Sequence, residues 1–224
     1  MKILIFLFAF CIISVTACEK NTVQYLKENR MQDENLVNLV MKNDITKLKN
    51  ALNNGANVNT TDQKGRSLLL IAVIGKQTEM AKVLVEYKAD VNLQDAQKDS
   101  PFLYAGASGQ TELVKLFLNN GARFDVFNRY NGTALIPACE RGHVETVEIL
   151  ANTKGFPIDH VNRLGWTALM EAVVLGDGST IYQQIITILK NAGADLNIPD
   201  KDSITALQHS KSLGFKNIVK ILES

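Results

Sequence analysis

Five stretches of the chain carry the same order of hydroxyl, large apolar, small and glycine positions: RSLLLIAVIGK, DSPFLYAGASG, GTALIPACERG, WTALMEAVVLG and ITALQHSKSLG. The hydroxyl position is Ser67, Ser100, Thr133, Thr167 and Thr205, at intervals of 33, 33, 34 and 38 residues. A side-chain oxygen there can accept from the free amides of a helix's first turn, so each predicts a helix start. Two positions on stand Leu69, Phe102, Leu135, Leu169 and Leu207; five on stand Ala72, Ala105, Ala138, Ala172 and Ser210. Large followed by small lets two helices approach closely and still fill the space between them. Nine on, Gly109, Gly142, Gly176 and Gly214 can adopt the left-handed conformation that ends a helix, with Gly75 displaced by one in the first copy.

Apolar residues then return at helical spacing, as Met80, Val83 and Leu84; Leu113, Val114, Leu116 and Phe117; Val147, Ile149 and Leu150; and Ile218, Val219, Ile221 and Leu222. Each set predicts a second helix antiparallel to the first. Gly-Ala at Gly55-Ala56, Gly121-Ala122 and Gly193-Ala194, with Lys88-Ala89 in one copy, closes it. Asn57-Val58-Asn59, Asp90-Val91-Asn92 and Asp195-Leu196-Asn197 mark the turns to the next unit.

In period and in residue order these copies resemble the ankyrin-repeat family, over Glu34 to Ser224. The resemblance implies an all-α ankyrin-repeat solenoid of helix-turn-helix pairs joined by β-hairpin or loop connections. About six repeats are implied, at 34–61, 62–94, 95–127, 128–161, 162–199 and 200–224. The first, LVNLVMKNDITKLKNALNNGANVN, lacks the hydroxyl-led start and the last stops after its second helix, so both read as caps. Such a stack leaves no deep pocket and one long open surface.

Members of this family bind along the concave surface formed by hairpin tips and first helices. In this register the tips present Lys64, Arg66, Asp99, Arg129, Tyr130, Arg163, Trp166, Lys201 and Asp202, and the first helices present Tyr104, Glu140 and Arg141. Arginine and aromatic residues are the types enriched among interface hot spots. Trp166 has a second reading, as a residue that shields its own hairpin. The fifth copy is five residues longer, and the added stretch, Asp177, Gly178, Ser179, Thr180, Ile181 and Tyr182, is expected as a bulging loop. It is either a contact loop on the binding face or a tolerated surface insertion. The fourth copy gains one residue where Thr153-Lys154-Gly155-Phe156-Pro157 replaces Gly-Ala.

The beginning of the chain departs from all of this. After Lys2 come fifteen uncharged residues, Ile3 to Ala17, ending on small side chains before Cys18. That order is a secretory signal, residues 1–17, and is short of the roughly 20 apolar residues a membrane-spanning helix needs. Val15-Thr16-Ala17-Cys18 resembles the lipobox of bacterial lipoproteins, which implies cleavage before Cys18 and lipidation of its sulfur. The other reading is an ordinary signal peptide with a chance cysteine. Residues 18–33 are polar with little periodicity and read as a tether. Glu19 is not the aspartate that resembles an inner-membrane retention signal, which favours the outer membrane, facing the periplasm.

Composition adds exclusions. With 46% hydrophobic and 21% charged residues the bulk of the 224-residue chain is globular. Loss of residues 1–17 removes one basic residue, leaving 23 basic against 23 acidic, so no long-range field gathers nucleic acid. Of three cysteines, Cys11 leaves with the signal and Cys18 goes to lipid, so Cys139 stands alone and reads as core filler. His143, His160 and His209 lack metal-ligand spacing, and His143 occupies the Gly-His-x-Glu corner where imidazole bonds to loop backbone in the family. With no nucleophile elbow or phosphate loop either, no catalysis, metal or cofactor is expected. The expectation is a monomeric, lipid-anchored adaptor that binds a protein partner, or else an inhibitor or immunity protein for a secreted enzyme such as a lipase.

Overall fold

The computed structural model describes residues 31–224, and among these twelve helices follow one another in pairs. They are α1 (31–41) with α2 (Ile45–Asn53), α3 (Leu68–Ile74) with α4 (Thr78–Glu86), α5 (Pro101–Ala107) with α6 (Thr111–Leu118), and α7 (Leu135–Glu140) with α8 (Val144–Ala151). Then come α9 (Ala168–Val174) with α10 (Thr180–Asn191) and α11 (Ala206–Ser212) with α12 (Lys216–Glu223). Residues 1–17, Cys18 and most of the expected tether lie outside the described residues. The last three residues assigned to that tether, 31–33, are helical and belong to α1. Asp33 accepts a hydrogen bond from Thr60 Oγ1 at 3.2 Å, which holds α1 to the loop after α2.

Units stack in sequence order: α3, α5, α7, α9 and α11 pack one on the next, and so do α2, α4, α6, α8, α10 and α12. The small position explains the close approach of the first helices, because Ala72, Ala105, Ala138, Ala172 and Ser210 are all fully buried. Ser210 is tolerated there because its hydroxyl donates to Ala206 O at 2.8 Å. Large side chains fill the layers between units, among them Leu69, Phe102, Phe117 and Leu150. Phe124 lies between Phe102 and Phe156 in tilted contact, with ring centroids 6.4 and 4.9 Å away, so Phe156 of the irregular fourth unit extends an apolar column.

Four of the five hydroxyls cap their helices. Ser67, Ser100, Thr167 and Thr205 accept from the amides of Leu70, Leu103, Met170 and Gln208. Thr133 does not. Its hydroxyl is buried without a partner and α7 begins later, at Leu135. Pro137 has no N–H with which to bond the Thr133 carbonyl, so the opening turn is lost.

The left-handed positions also correct the register in two units. Gly109, Gly142 and Gly214 have φ of 67°, 74° and 73°, whereas Gly75 is right-handed (φ −74°) and Lys76 takes the left-handed turn at φ 54°. In the fifth unit that role falls to Gly178 (φ 74°) rather than Gly176. Gly176 is needed for space: a Cβ there would lie 2.3 Å from Ala172 O and 2.6 Å from the Tyr182 ring. The expected loop at 177–182 is half turn and half helix. Asp177, Gly178 and Ser179 form the turn, while Thr180, Ile181 and Tyr182 extend α10 to twelve residues.

Between units the chain is organised by side-chain oxygens rather than by sheet. A lone bridge joins Thr61 and Ser67 among the described residues. At each hairpin tip one Asp or Asn oxygen accepts two backbone amides: Asp62 from Lys64 and Arg66, Asp95 from Gln97 and Asp99, Asn128 from Tyr130 and Gly132, Asn162 from Leu164 and Trp166, and Asp200 from Asp202 and Ile204. This Asx turn shapes every tip alike.

Candidate partner-binding groove

Hairpin tips and first helices of the third, fourth and fifth units enclose a concavity of about 380 Å³. Six residues that the repeat register assigns to the binding face line it together: Asp99, Tyr104, Arg129, Tyr130, Glu140 and Arg141. The open surface expected of the stack is thus hollowed at its centre. Walls of Leu103, Ile136, Pro137, Leu164 and Leu175 make it partly apolar.

The tips hold their positions by a chain of bonds from one to the next. Ala96 N donates to Lys64 O at 3.1 Å, Arg163 N to Tyr130 O at 2.8 Å, and Lys201 Nζ to Arg163 O at 2.6 Å. The six remaining predicted groove residues lie outside the concavity. Arg66 is tied to Asp62 at 2.6 Å within its own tip, and Lys64 belongs to a shallower depression beside α1 with Asp33 and Val37. Lys201 is occupied with Arg163 O, and Asp202 donates its amide to Asp200. Trp166 packs half-buried against the core, in keeping with the shielding reading.

Part of the insertion is tied into the stack, while Ile181 stays 48% exposed. The Tyr182 hydroxyl donates to Glu140 O at 2.8 Å, so the extra turn of α10 clasps the end of α7. Ile181 sits over Gly142, and the Phe215 ring covers Gly178.

Electrostatics single out a residue that the register reading passed over. Glu171, on α9, is 5% exposed and lines the concavity. Among the described residues its carboxylate accepts one hydrogen bond, from Asn162 Nδ2 at 2.7 Å. Burial, with the like charge of Glu140, pushes its carboxyl up to about 7, against the pull of Asn162 and Arg141. Neither Glu140 nor Glu171 has a cation within ion-pair distance among the described residues. Arg141 is spent elsewhere, donating to Ala107 O at 2.7 Å. Arg129 lies 3.6 Å from Asp99 and over the Tyr130 ring at 5.1 Å, leaving Tyr130 52% exposed. Burial also raises the Asp99 carboxyl, and Arg129 opposes it.

Glu171 was legible in principle. It stands four residues after Thr167, as Tyr104 stands after Ser100 and His209 after Thr205; Tyr104 lines the same concavity and His209 bonds its own tip. His209 Nε2 meets Asp200 Oδ2 at 2.7 Å, a pairing that holds the Asp200 carboxyl below its usual range. His160 stacks on Phe127 (4.3 Å between centroids), and the half-buried His143 imidazole bonds to the Ala107 carbonyl. Burial pushes the Cys139 thiol well above its ordinary value, which keeps it protonated and unreactive. Among the described residues no group of three His, Cys, Asp or Glu side chains could hold a metal ion.

A family model described as ankyrin repeats in three copies matches residues 16–128 and 103–200. The ankyrin repeat protein YahD of Escherichia coli (strain K12) is 34% identical over 180 residues, which is 80% of this chain and 89% of that one. An ankyrin repeat domain from Acinetobacter baumannii AYE, solved by crystallography, is 45% identical with a TM-score of 0.82, covering 84% of this chain and 95% of its own. The crystal structure of a second ankyrin repeat protein, EF0377, is 39% identical, also with a TM-score of 0.82, over 84% and 96%.

Proposed function

The chain belongs to the ankyrin-repeat family of protein-interaction modules, and we propose that it is a lipid-anchored adaptor that seats a protein partner in the concavity of its third to fifth units. The observation that carries this reading is the concavity itself. Exposed Tyr130 and the two arginines Arg129 and Arg141 stand on a rigid frame of Asx turns, with apolar walls behind them. Tyr130 is stiff by nature, and Arg129 and Arg141 are held by Asp99, the Tyr130 ring and the Ala107 carbonyl, so less entropy is lost on binding, which is what an interface anchor needs.

The anchor rests on Lys2, the apolar run Ile3 to Ala17 and the lipobox-like Val15-Thr16-Ala17-Cys18. Acylation of Cys18 would hold the repeats at the periplasmic side of a bacterial envelope, the outer membrane being favoured, and raise the effective concentration of partner there. Two measurements test the two halves. Cys18→Ser should release the protein from membranes, and unchanged retention refutes the anchor. Tyr130→Ala and Arg141→Ala should each abolish recovery of a stoichiometric partner from detergent-solubilised envelope; undiminished recovery refutes the groove. An inhibitor of a secreted enzyme would use the same surface, and a purified complex with full enzymatic activity excludes that alternative.

A further inference from the structure

The concavity holds an imbalance of charge that the protein does not resolve by itself. Three carboxylates line it, those of Asp99, Glu140 and Glu171, with two guanidinium groups. Arg129 is directed to Asp99 and the Tyr130 ring, and Arg141 to a backbone carbonyl. Glu140 and Glu171 are left facing one space with a single amide donor, from Asn162, between them. A carboxylate can accept about four hydrogen bonds, and a buried one without a cation is costly. Beside this pair stand Leu164 and Leu175, both exposed at 49% and 47% although large and apolar, and both lining the same hollow. A buried carboxylate beside a half-buried one, with bare leucines at the wall, describes the complement of one kind of side chain: a charged head on a long aliphatic stem.

We propose that the concavity receives a lysine or arginine side chain of the partner protein, its cationic head between Glu140 and Glu171 and its stem along Leu164 and Leu175. This rests on the reading that the groove is the partner site and adds the chemistry of what enters it. The incoming cation supplies the missing hydrogen-bond donors to both carboxylates, and the leucines exclude water from the pair. A neutral residue of the same length would fill the hollow but leave the buried Glu171 carboxylate, with Glu140 beside it, without a cation, so the hollow selects for charge as well as shape.

The test uses the full-length protein and three small probes, Nα-acetyl-lysine methylamide, Nα-acetyl-arginine methylamide and the neutral Nα-acetyl-norleucine methylamide, with the methyl signals of Ile136, Leu164 and Leu175 followed by NMR. One cationic probe should shift these signals saturably and bind about tenfold or more tightly than norleucine, a preference that Glu171→Gln should remove. Equal binding of the neutral probe, no saturation below about 100 mM of either cation, or full cation preference in Glu171→Gln would overturn the proposal. A Glu140→Gln/Glu171→Gln double variant separates this from failure of the groove itself. If it retains a partner that Tyr130→Ala and Arg141→Ala lose, the groove reading stands and the cation falls; if none of the three affects the partner, both fall.

Discussion

Replacing Glu171 by glutamine should make the protein more stable at neutral and alkaline pH. The side chain keeps its shape and its Oε1 can still accept from Asn162, so the exchange removes a charge and little else. In the folded chain the carboxyl is pushed up to about 7, from an ordinary value of 4.5, by burial and by Glu140. Raised folded-state affinity for a proton means that between these two values the native chain binds a proton that the unfolded chain has released. Stability from this group is therefore undiminished below pH 4.5, falls as pH rises toward 7, and reaches its full penalty above that. About 1.4 kcal/mol for each unit of displacement gives a penalty of about 3 kcal/mol.

The assay is urea unfolding of wild type and variant at steps from pH 4.5 to 8, followed by circular dichroism. Asp62 and Asp200, whose folded carboxyls sit below their ordinary range, make both proteins lose stability in acid, but they cancel in the difference. That difference should open from near zero at pH 4.5 to about 3 kcal/mol in favour of Gln at pH 8. Curves that run parallel across the whole interval would refute the argument, because they would mean that Glu171 is as well solvated folded as unfolded.

Three further outcomes follow from particular contacts. Asn162→Asp keeps the Asx turn, as Asp62, Asp95 and Asp200 do, yet removes the donor to Glu171 and adds a like charge; it should cost about 1–3 kcal/mol at pH 8, whereas Asn128→Asp, which removes no bond to a carboxylate, should cost less in the same urea titration. Gly178→Ala should lower the melting temperature more than Gly121→Ala: both are left-handed, at φ 74° and 84°, but a Cβ at Gly178 meets the Phe215 ring at 2.6 Å and one at Gly121 meets nothing within 4 Å. Cys139, fully buried, should react with a thiol reagent such as dithionitrobenzoate no faster than the chain unfolds, and rapid labelling of the native protein would contradict its packing.

The stack was readable because its logic is local and repeated: a cap, a large residue, a small one and a turn recur at a fixed interval, and every copy votes on the register. What escaped was set by exceptions within single copies. Pro137 lacks the amide that would bond the Thr133 carbonyl, and α7 starts late at Leu135 with the Thr133 hydroxyl uncapped, which a pattern of side-chain types does not register. The added residues of the fifth unit read as a loop because Asp177, Gly178 and Ser179 open them. Yet Ile181, Ile185 and Leu189 recur every four residues and Tyr182 precedes Ile186 by the same interval, so the helical signal ran through the insertion from the start.

The groove was half legible for a related reason. Five of its lining residues, Tyr104, Asn128, Pro137, Asn162 and Glu171, come from two fixed places in each unit, the tip residue five before the hydroxyl and the helix residue four after it, nine apart in the chain. Where that pair is Asn162 and Glu171, or Asp200 and His209, the two side chains bond at 2.7 Å; where the helix position is Ile71, Asp62 turns instead to Arg66. The tip residue can be Asp or Asn because either satisfies the turn, and that freedom lets it match what the helix presents. An amide sits opposite a carboxylate and a carboxylate opposite an imidazole. Glu171 is tolerated because its own tip supplies Asn162, but one amide does not neutralise a buried charge. The repeat can position an acidic group in its groove without being able to satisfy it, and the proposed cation of a partner would meet that demand.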